Sequence, residues 1–356
     1  MTRTPAVFYS LSAQPDNLGD IEIRKQVLEW LKESGRPVVL FTGPMPQGYL
    51  DGFGDLSGFE THSQSRVFEL RLLREALRGR SAVVLAPGPQ IFGPTKLAIR
   101  SLINLVNVLA IRARRGSAVA VGRSLRGTPS PGKILDRSLI KLFSLYTVRD
   151  DVSADAIGLD LMSYPDMAFG ARDTSPTTGE RSHLALSFRN DRSVPPEHLT
   201  GLVEQARRAG LEPVLVSQVR RDDDQHRRLG DLLGIRTQLW EERTHVEQEE
   251  AVRALYRRSA FVVSNRLHGL ILGMQCGALP VTYSEPGYDK VVSTVSGVVS
   301  ISSWPSKDGL EPLTAAWLVE DRADSQDRLE SELQAAEQRL AALKNEFLRV
   351  LAVPGP

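Results

Sequence analysis

The chain has 356 residues, 41% of them hydrophobic and 24% charged, with 44 basic and 43 acidic side chains and a formal net charge of +1. That is enough apolar chain for two folded domains, and it excludes extensive disorder and a global field that would gather nucleic acid. A single cysteine, Cys276, excludes an internal disulfide and a cysteine-based zinc site, and the lack of a signal-like start or a bilayer-spanning apolar run gives the expectation of a cytoplasmic protein.

In chain order, short apolar runs alternate with segments of helical period. Strands are predicted at 6–11, 37–41, 82–86 and 118–122, and helices at 18–34, 65–79 and 95–114. This alternation predicts a parallel sheet with helices on both faces, joined by right-handed crossovers. The stretch 172–181 has no apolar side chain and reads as a linker or surface loop. The alternation then restarts, with strands predicted at 184–188, 213–217, 260–264 and 279–283 and helices at 197–209, 225–233, 246–257 and 267–276. Residues 220–224 read as a solvated loop and helix start. Near the end, Leu329, Leu333, Ala336, Leu340, Leu343, Phe347 and Val350 form a heptad seam. The fold class expected is α/β: two Rossmann-like domains facing across a cleft (GT-B-like), over 1–172 and 173–320, with a long amphipathic C-terminal helix and tail over 321–356. Ligands in such sheets bind beyond the carboxyl ends of the strands.

The stretch 261–281 is the most informative. It reads as a buried strand, a polar turn, a helix, a glycine stop and another strand. Ser264 or Asn265 can cap the helix, placing Arg266 and His268 in its first turn, where unpaired N–H groups and the helix dipole favour anions. Gly269, Gly273 and Gly277 recur four apart. Since each interior glycine costs a helix about 1 kcal/mol, they predict close packing along one face. Together these features suit an anionic, phosphate-bearing small molecule.

Asn265-Arg266-Leu267-His268-Gly269, followed by Gly277-Ala278-Leu279-Pro280 and then Tyr283, Asp289 and Lys290, resembles the hallmark region of the polysaccharide pyruvyl transferase family. Other pieces agree in order. Asn17-Leu18-Gly19-Asp20 resembles an N-x-G-D element after the first strand. Val148-Arg149-Asp150-Asp151, with Ser153, resembles an R-D/E-x-x-S element, and Pro165-Asp166-Met167-Ala168 a P-D-x-A/V element. Ser187-Phe188-Arg189 opens the second domain. The resemblance covers roughly residues 5–300, and motifs in the right order and context make it fairly specific. It departs at Ala86-Pro87-Gly88-Pro89-Gln90, where the family has a glycine-rich loop, and at the loop expected over 122–127.

The resemblance implies transfer of the enolpyruvyl carbons of phosphoenolpyruvate onto two hydroxyls of a sugar, on a polysaccharide or lipid-linked glycan precursor, giving a cyclic ketal and phosphate. Residues 1–172 are then the acceptor side and 173–320 the donor side. Arg189 and Arg266 grip carboxylate and phosphate, which guanidinium bonds in bidentate fashion. His268 is the acid for the donor's methylene carbon. Lys290 holds departing phosphate, Asp20 or Asn17 orients or deprotonates the acceptor hydroxyl, and Gly88 lies in the acceptor loop. The chemistry asks for no metal or other cofactor. Structural roles stand beside these: Asn17 and Asp20 as caps of the first helix, Arg149, Asp150 and Asp151 as a strand-to-helix joint, Asp166 as backbone support, and Cys276 in the core.

Two segments carry two readings each. The helix at 95–114, flanked by Lys96, Arg100, Arg112, Arg114 and Arg115, is either core or a peripheral contact with the inner membrane leaflet, since family acceptors are often lipid-linked. The heptad seam either packs on the chain's own body or joins a homodimer. Competing functions are a nucleotide-sugar glycosyltransferase of two-Rossmann-domain type, with Glu285 on the ribose, and a non-catalytic sugar-binding scaffold.

Overall fold

The apolar runs pair in parallel and fall into two sheets. The computed structural model describes residues 4–92, 95–127, 131–170, 172, 173, 175, 179–192, 194–283, 290–304, 315–318 and 322–352, without the side chains of 92, 95–100, 131, 132, 290 and 316. The first sheet is built from β1 (Val7–Ser10), α1 (Leu18–Glu33), β2 (Val38–Phe41), α2 (Gln47–Asp51), β3 (Glu60–His62), α3 (Ser65–Arg78), β4 (Ala82–Leu85), β5 (Gly88–Phe92), α4 (Thr95–Ala113), β6 (Ser117–Gly127), α5 (Pro131–Ile140), β7 (Leu145–Val148) and α6 (Asp151–Ile157). Its order is β3-β2-β1-β4-β6-β5, with β7 also on β6. Phe8, Val39, Val83 and Ala118 pack against Phe68 and Leu72 of α3, Val108 and Ile111 of α4 and Leu139 of α5. That burial is why the strands are continuous apolar runs and do not alternate.

The second sheet follows with β8 (His183–Ser187), α7 (Pro196–Arg208), β9 (Glu212–Val216), α8 (Asp223–Leu233), β10 (Arg236–Gln238), α9 (His245–Arg257), β11 (Ser259–Ser264), α10 (Leu267–Gln275), β12 (Leu279–Tyr283), α11 (Lys290–Val295) and β13 (Ser302–Trp304). Its order is β10-β9-β8-β11-β12-β13. The direction of winding therefore reverses between β8 and β11. Local chemistry sets the helix ends. Thr244 and Glu247 form a capping box at α9, Asp150 accepts from the Ser153 N–H at α6, and left-handed Gly158 and Gly234 close α6 and α8.

Two expectations are corrected. The strand expected at 118–122 runs on to Gly127, because Gly122 (φ +62°) absorbs a register shift between Ala120 and Arg123. A Cβ at Gly122 would lie 2.7 Å from Met167 Cγ. The loop around Gly88 is the strand β5, paired from Gly88↔Arg123 to Phe92↔Gly127. Pro89 is tolerated there because β5 ends the sheet. Within the expected linker over 172–181 the described residues are irregular, as read, and two of them are tied down: Asp173 pairs with Arg257 at 2.7 Å, and Arg181 donates to the carbonyls of Ser259 (3.1 Å) and Cys276 (2.9 Å).

Contacts divide the chain into two compact units, one of Met1–Pro15, Asp20–Met167 and Gln338–Pro356, the other of Asp16–Gly19 and Ala168–Glu337. The last helix, α12 (Arg322–Leu351), contributes to both. Of its seven seam residues, Leu329, Leu333, Ala336, Leu340, Leu343 and Phe347 are buried within the single chain and Val350 is half-buried. In the first unit Phe347 packs edge-on to Trp30 at 5.5 Å. There, too, Arg36 donates to the carbonyls of Pro5 (2.9 Å), Ala6 (3.3 Å), Arg80 (2.8 Å) and Leu351 (2.9 Å). Among the described residues no helix is long and apolar enough to cross a membrane.

Candidate active site

In the second unit, three polar segments meet at the carboxyl ends of β8, β9 and β11, beside the reversal of strand order where open α/β sheets bind ligands. The Ser264 hydroxyl donates to the Ser187 carbonyl at 2.5 Å and accepts from the Arg266 N–H at 2.9 Å. Asn265 Oδ1 accepts from the Arg189 N–H at 2.9 Å. These bonds correct the expected helix start. Arg266, extended at φ −103° and ψ 124°, is itself the N-cap of α10, and its side chain makes no capping bond. Ser264 and Asn265 instead tie β11 to the segment after β8. His268 lies in the first turn, half-buried, where N–H groups lack intrahelical partners. The glycine spacing does permit close packing: a Cβ at Gly269 would lie 2.6 Å from Ser264 Oγ, and one at Gly273 2.5 Å from Val262 Cγ1.

The run Arg220-Arg221-Asp222-Asp223-Asp224 does open a helix, α8, and Arg220, Arg221 and Asp224 are exposed, but the run is not solvated throughout. Asp222 is fully buried and Asp223 nearly so. Asp222 takes Arg266 at two points, Nη2 to Oδ1 at 2.6 Å and Nε to Oδ2, and accepts from the Asn190 N–H at 3.0 Å. Asp223 accepts from the N–H groups of Trp240 (3.0 Å) and Glu241 (2.8 Å). These bonds offset the cost of removing two carboxylates from water. Arg189 instead holds Asp191 at the surface, at 2.8 and 2.5 Å. That pairing brings the Asp191 carboxyl down to about 2. Beneath them lies His226. Its Nε2 accepts from the Phe188 N–H at 3.1 Å and its Nδ1 faces Ser217 Oγ at 2.8 Å, which fixes a neutral ring with the proton on Nδ1. Burial pushes this histidine down to about 4.

The segment Asp16–Gly19 packs on the same ends. Asp16 binds Arg221 at 2.7 and 2.6 Å, the Arg220 N–H donates to Asp16 O at 3.0 Å, and the Leu18 N–H donates to Gln218 O at 3.2 Å. Asn17 bridges Val219 in antiparallel fashion. Gly19 lies so close to His268 that a Cβ on it would overlap the imidazole. Asn17 Oδ1 accepts from the Gly19 N–H at 3.1 Å, the bond of a helix-capping asparagine.

The remaining candidates are placed as follows. Asp20 lies in the first turn of α1, 3.4 Å from Arg24, and Gly88 on β5; both belong to the first unit. The Lys290 side chain and Glu285 lie outside the described residues. Arg149 pairs with Asp166 at 2.8 Å, both buried, and Asp150 holds Arg126 at 2.8 Å as well as capping α6. Those two motifs therefore lock the end of the first sheet. Cys276 is buried, its thiol pushed up to about 12 by desolvation. Sequence reasoning missed Asp222, His226 and Gln218, whose amide donates to Tyr256 Oη at 2.7 Å. The sequence cue available was their position after a predicted strand.

A family model described as polysaccharide pyruvyl transferase matches residues 17–279. No curated protein matches the chain. Among solved structures, a putative UDP-N-acetylglucosamine 2-epimerase from Listeria monocytogenes is 15% identical, covering 97% of each chain at a TM-score of 0.56. The UDP-GlcNAc 2-epimerase from Neisseria meningitidis, bound to UDP-GlcNAc, is 11% identical, covering 97% of this chain and 99% of its own at 0.55. UGT2 of Phytolacca americana, complexed with UDP-2fluoro-glucose and pterostilbene, is 11% identical, covering 97% and 100% at 0.54. At these identities the likeness shows the GT-B-like fold alone.

Proposed function

This chain belongs to the polysaccharide pyruvyl transferase family, and on that premise we propose that it transfers the pyruvyl carbons of phosphoenolpyruvate onto two hydroxyls of a sugar, as a cyclic ketal, and releases phosphate. His268 gives a proton to the donor's methylene carbon, C2 becomes cationic, and a sugar hydroxyl attacks it. Attack by the second hydroxyl breaks the bond from C2 to the phosphate oxygen. One hydroxyl proton returns to the imidazole and the other leaves on phosphate.

The observation that carries this reading is the joining of three family elements at one end of one sheet: Ser264 to Ser187, Asn265 to Arg189, and Gly19 against His268. Arg189 acts as the exchangeable grip, because its partner Asp191 is exposed and a surface pair is given up at little cost. Arg266 acts as the fixed grip. Asp222 orients it through Nε and Nη2, and Nη1 faces the donor. Lys290, at the start of α11, takes departing phosphate. Asp20, Asn17 and Gly88 serve the acceptor, a sugar or lipid-linked glycan.

The test is ligand-dependent melting of the purified protein. Phosphoenolpyruvate without added metal should raise the melting temperature, since a ligand at 100 times its dissociation constant stabilises by about 2.7 kcal/mol. Stabilisation by UDP but not phosphoenolpyruvate, or a strict need for a divalent ion, overturns the proposal in favour of glycosyl transfer.

A further inference from the structure

The three helices on one face of the first sheet do more than cover it. The buried sides of α3, α4 and α5 supply Phe68, Leu72, Val108, Ile111 and Leu139 to the core. Their outer sides are apolar as well. Of the thirteen exposed large apolar side chains among the described residues, eight lie on these three helices. Leu102, Ile103, Val106 and Leu109, 41–52% exposed, form one stripe along α4, flanked by Leu70 (54%) on α3 and Ile134 (71%) on α5. A contiguous exposed apolar patch of this kind marks a surface that another molecule or a membrane covers.

Charge identifies what covers it. Residues 95–141 carry ten basic side chains and one acidic one, in a chain whose net charge is +1. The acidic one, Asp136, is buried. Arg112, Arg114 and Arg115 at the end of α4, and Arg137 and Lys141 beside α5, are exposed. The bonds of Arg112 and Arg114 go to neutral groups: Gly116 O, Ser144 Oγ and Leu77 O. We propose that this apolar stripe with its basic rim docks the first unit onto an anionic lipid bilayer. The apolar side chains enter the headgroup boundary while the cations meet lipid phosphates, the division found in interfacial helices. A second copy of the chain fits the face less well, because a twofold contact would bring the same cations together.

The test uses the full chain and sedimentation with vesicles, and reads binding independently of catalysis. With vesicles of phosphatidylcholine and about one-third phosphatidylglycerol the protein should pellet, and with phosphatidylcholine alone it should stay in solution. Raising salt toward 1 M, where the Debye length is about 3 Å, should release it. Val106→Asp/Leu109→Asp and, separately, Arg115→Ala/Arg137→Ala should each lower the bound fraction about tenfold or more. Both variants change exposed positions, so their circular dichroism and melting should match the parent. A parent that ignores both vesicle types overturns the proposal, as do variants that bind as the parent does. A parent dimer that Val106→Asp/Leu109→Asp turns into a monomer overturns it in favour of a second copy.

Discussion

Arg266 rests on Asp222 at two points, and the carboxylate that holds it is fully buried. Asp222→Asn keeps the shape and removes the charge, leaving the guanidinium without its counter-ion. Breaking such a pair costs about 3–5 kcal/mol at most, and denaturant melts measure that loss. If the pair orients Arg266 toward donor, the KM for phosphoenolpyruvate should rise about tenfold or more, with turnover less affected. An Asp222→Asn enzyme that melts early yet keeps its KM makes the pair purely structural.

Gly19 against His268 gives a second test. Gly19→Ala places a methyl where the imidazole lies, and overpacking of this sort costs about 1–3 kcal/mol. Turnover should fall more than stability, because the ring must move. Adding His268→Ala to Gly19→Ala should recover the melting temperature without recovering turnover. Full recovery of both would take His268 out of the reaction.

His268→Gln separates proton delivery from binding. Turnover should drop by about 10²–10⁴-fold with donor affinity little changed. Arg266→Ala should act chiefly on the KM for phosphoenolpyruvate. Steady-state kinetics on the two variants distinguish these patterns, and near-normal turnover in His268→Gln would sink the acid assignment.

His226 couples the same region to pH. In the unfolded chain a histidine takes up its proton near about 6.5, whereas the buried ring does so only near about 4. Between these values the unfolded state binds more protons. The stability from the neutral ring is therefore full above the upper value and drains as pH falls toward the lower one. The loss amounts to up to about 3 kcal/mol. Melting temperature followed from pH 8 to pH 5 should fall, and His226→Gln should start lower but fall less steeply.

The seam of α12 should behave as core. Phe347, fully buried against Trp30, should cost about 3–5 kcal/mol when changed to alanine. The elution volume on gel filtration should not change. A stable Phe347→Ala protein with altered oligomeric state would restore the coiled-coil reading.

The sequence was legible where one physical cause dominates. Continuous apolar runs such as 260–264 gave buried parallel strands, and the glycines at 269 and 273 gave close packing. It was opaque where partners come from far along the chain. Nothing local tells which of Asp222, Asp223 and Asp224 turns inward, because the reason is Arg266, 44 residues on, for one and the backbone after β10 for the other. Strand β5 was missed because glycine and proline signal a turn, and only its place at the sheet edge admits them. The three-residue strands β3, β10 and β13 are too short for any period to show.

The carbonyls gathered by Arg36 come from both extremes of the described chain, Pro5 and Leu351 among them. In space, then, the polypeptide closes nearly into a ring whose clasp is one guanidinium. A bridge of a few residues across that gap would cost little loop-closure entropy, so a circularly permuted gene with new ends cut at an exposed turn should still encode the first unit's fold. A mechanical pull applied between Pro5 and Leu351 would load that clasp directly.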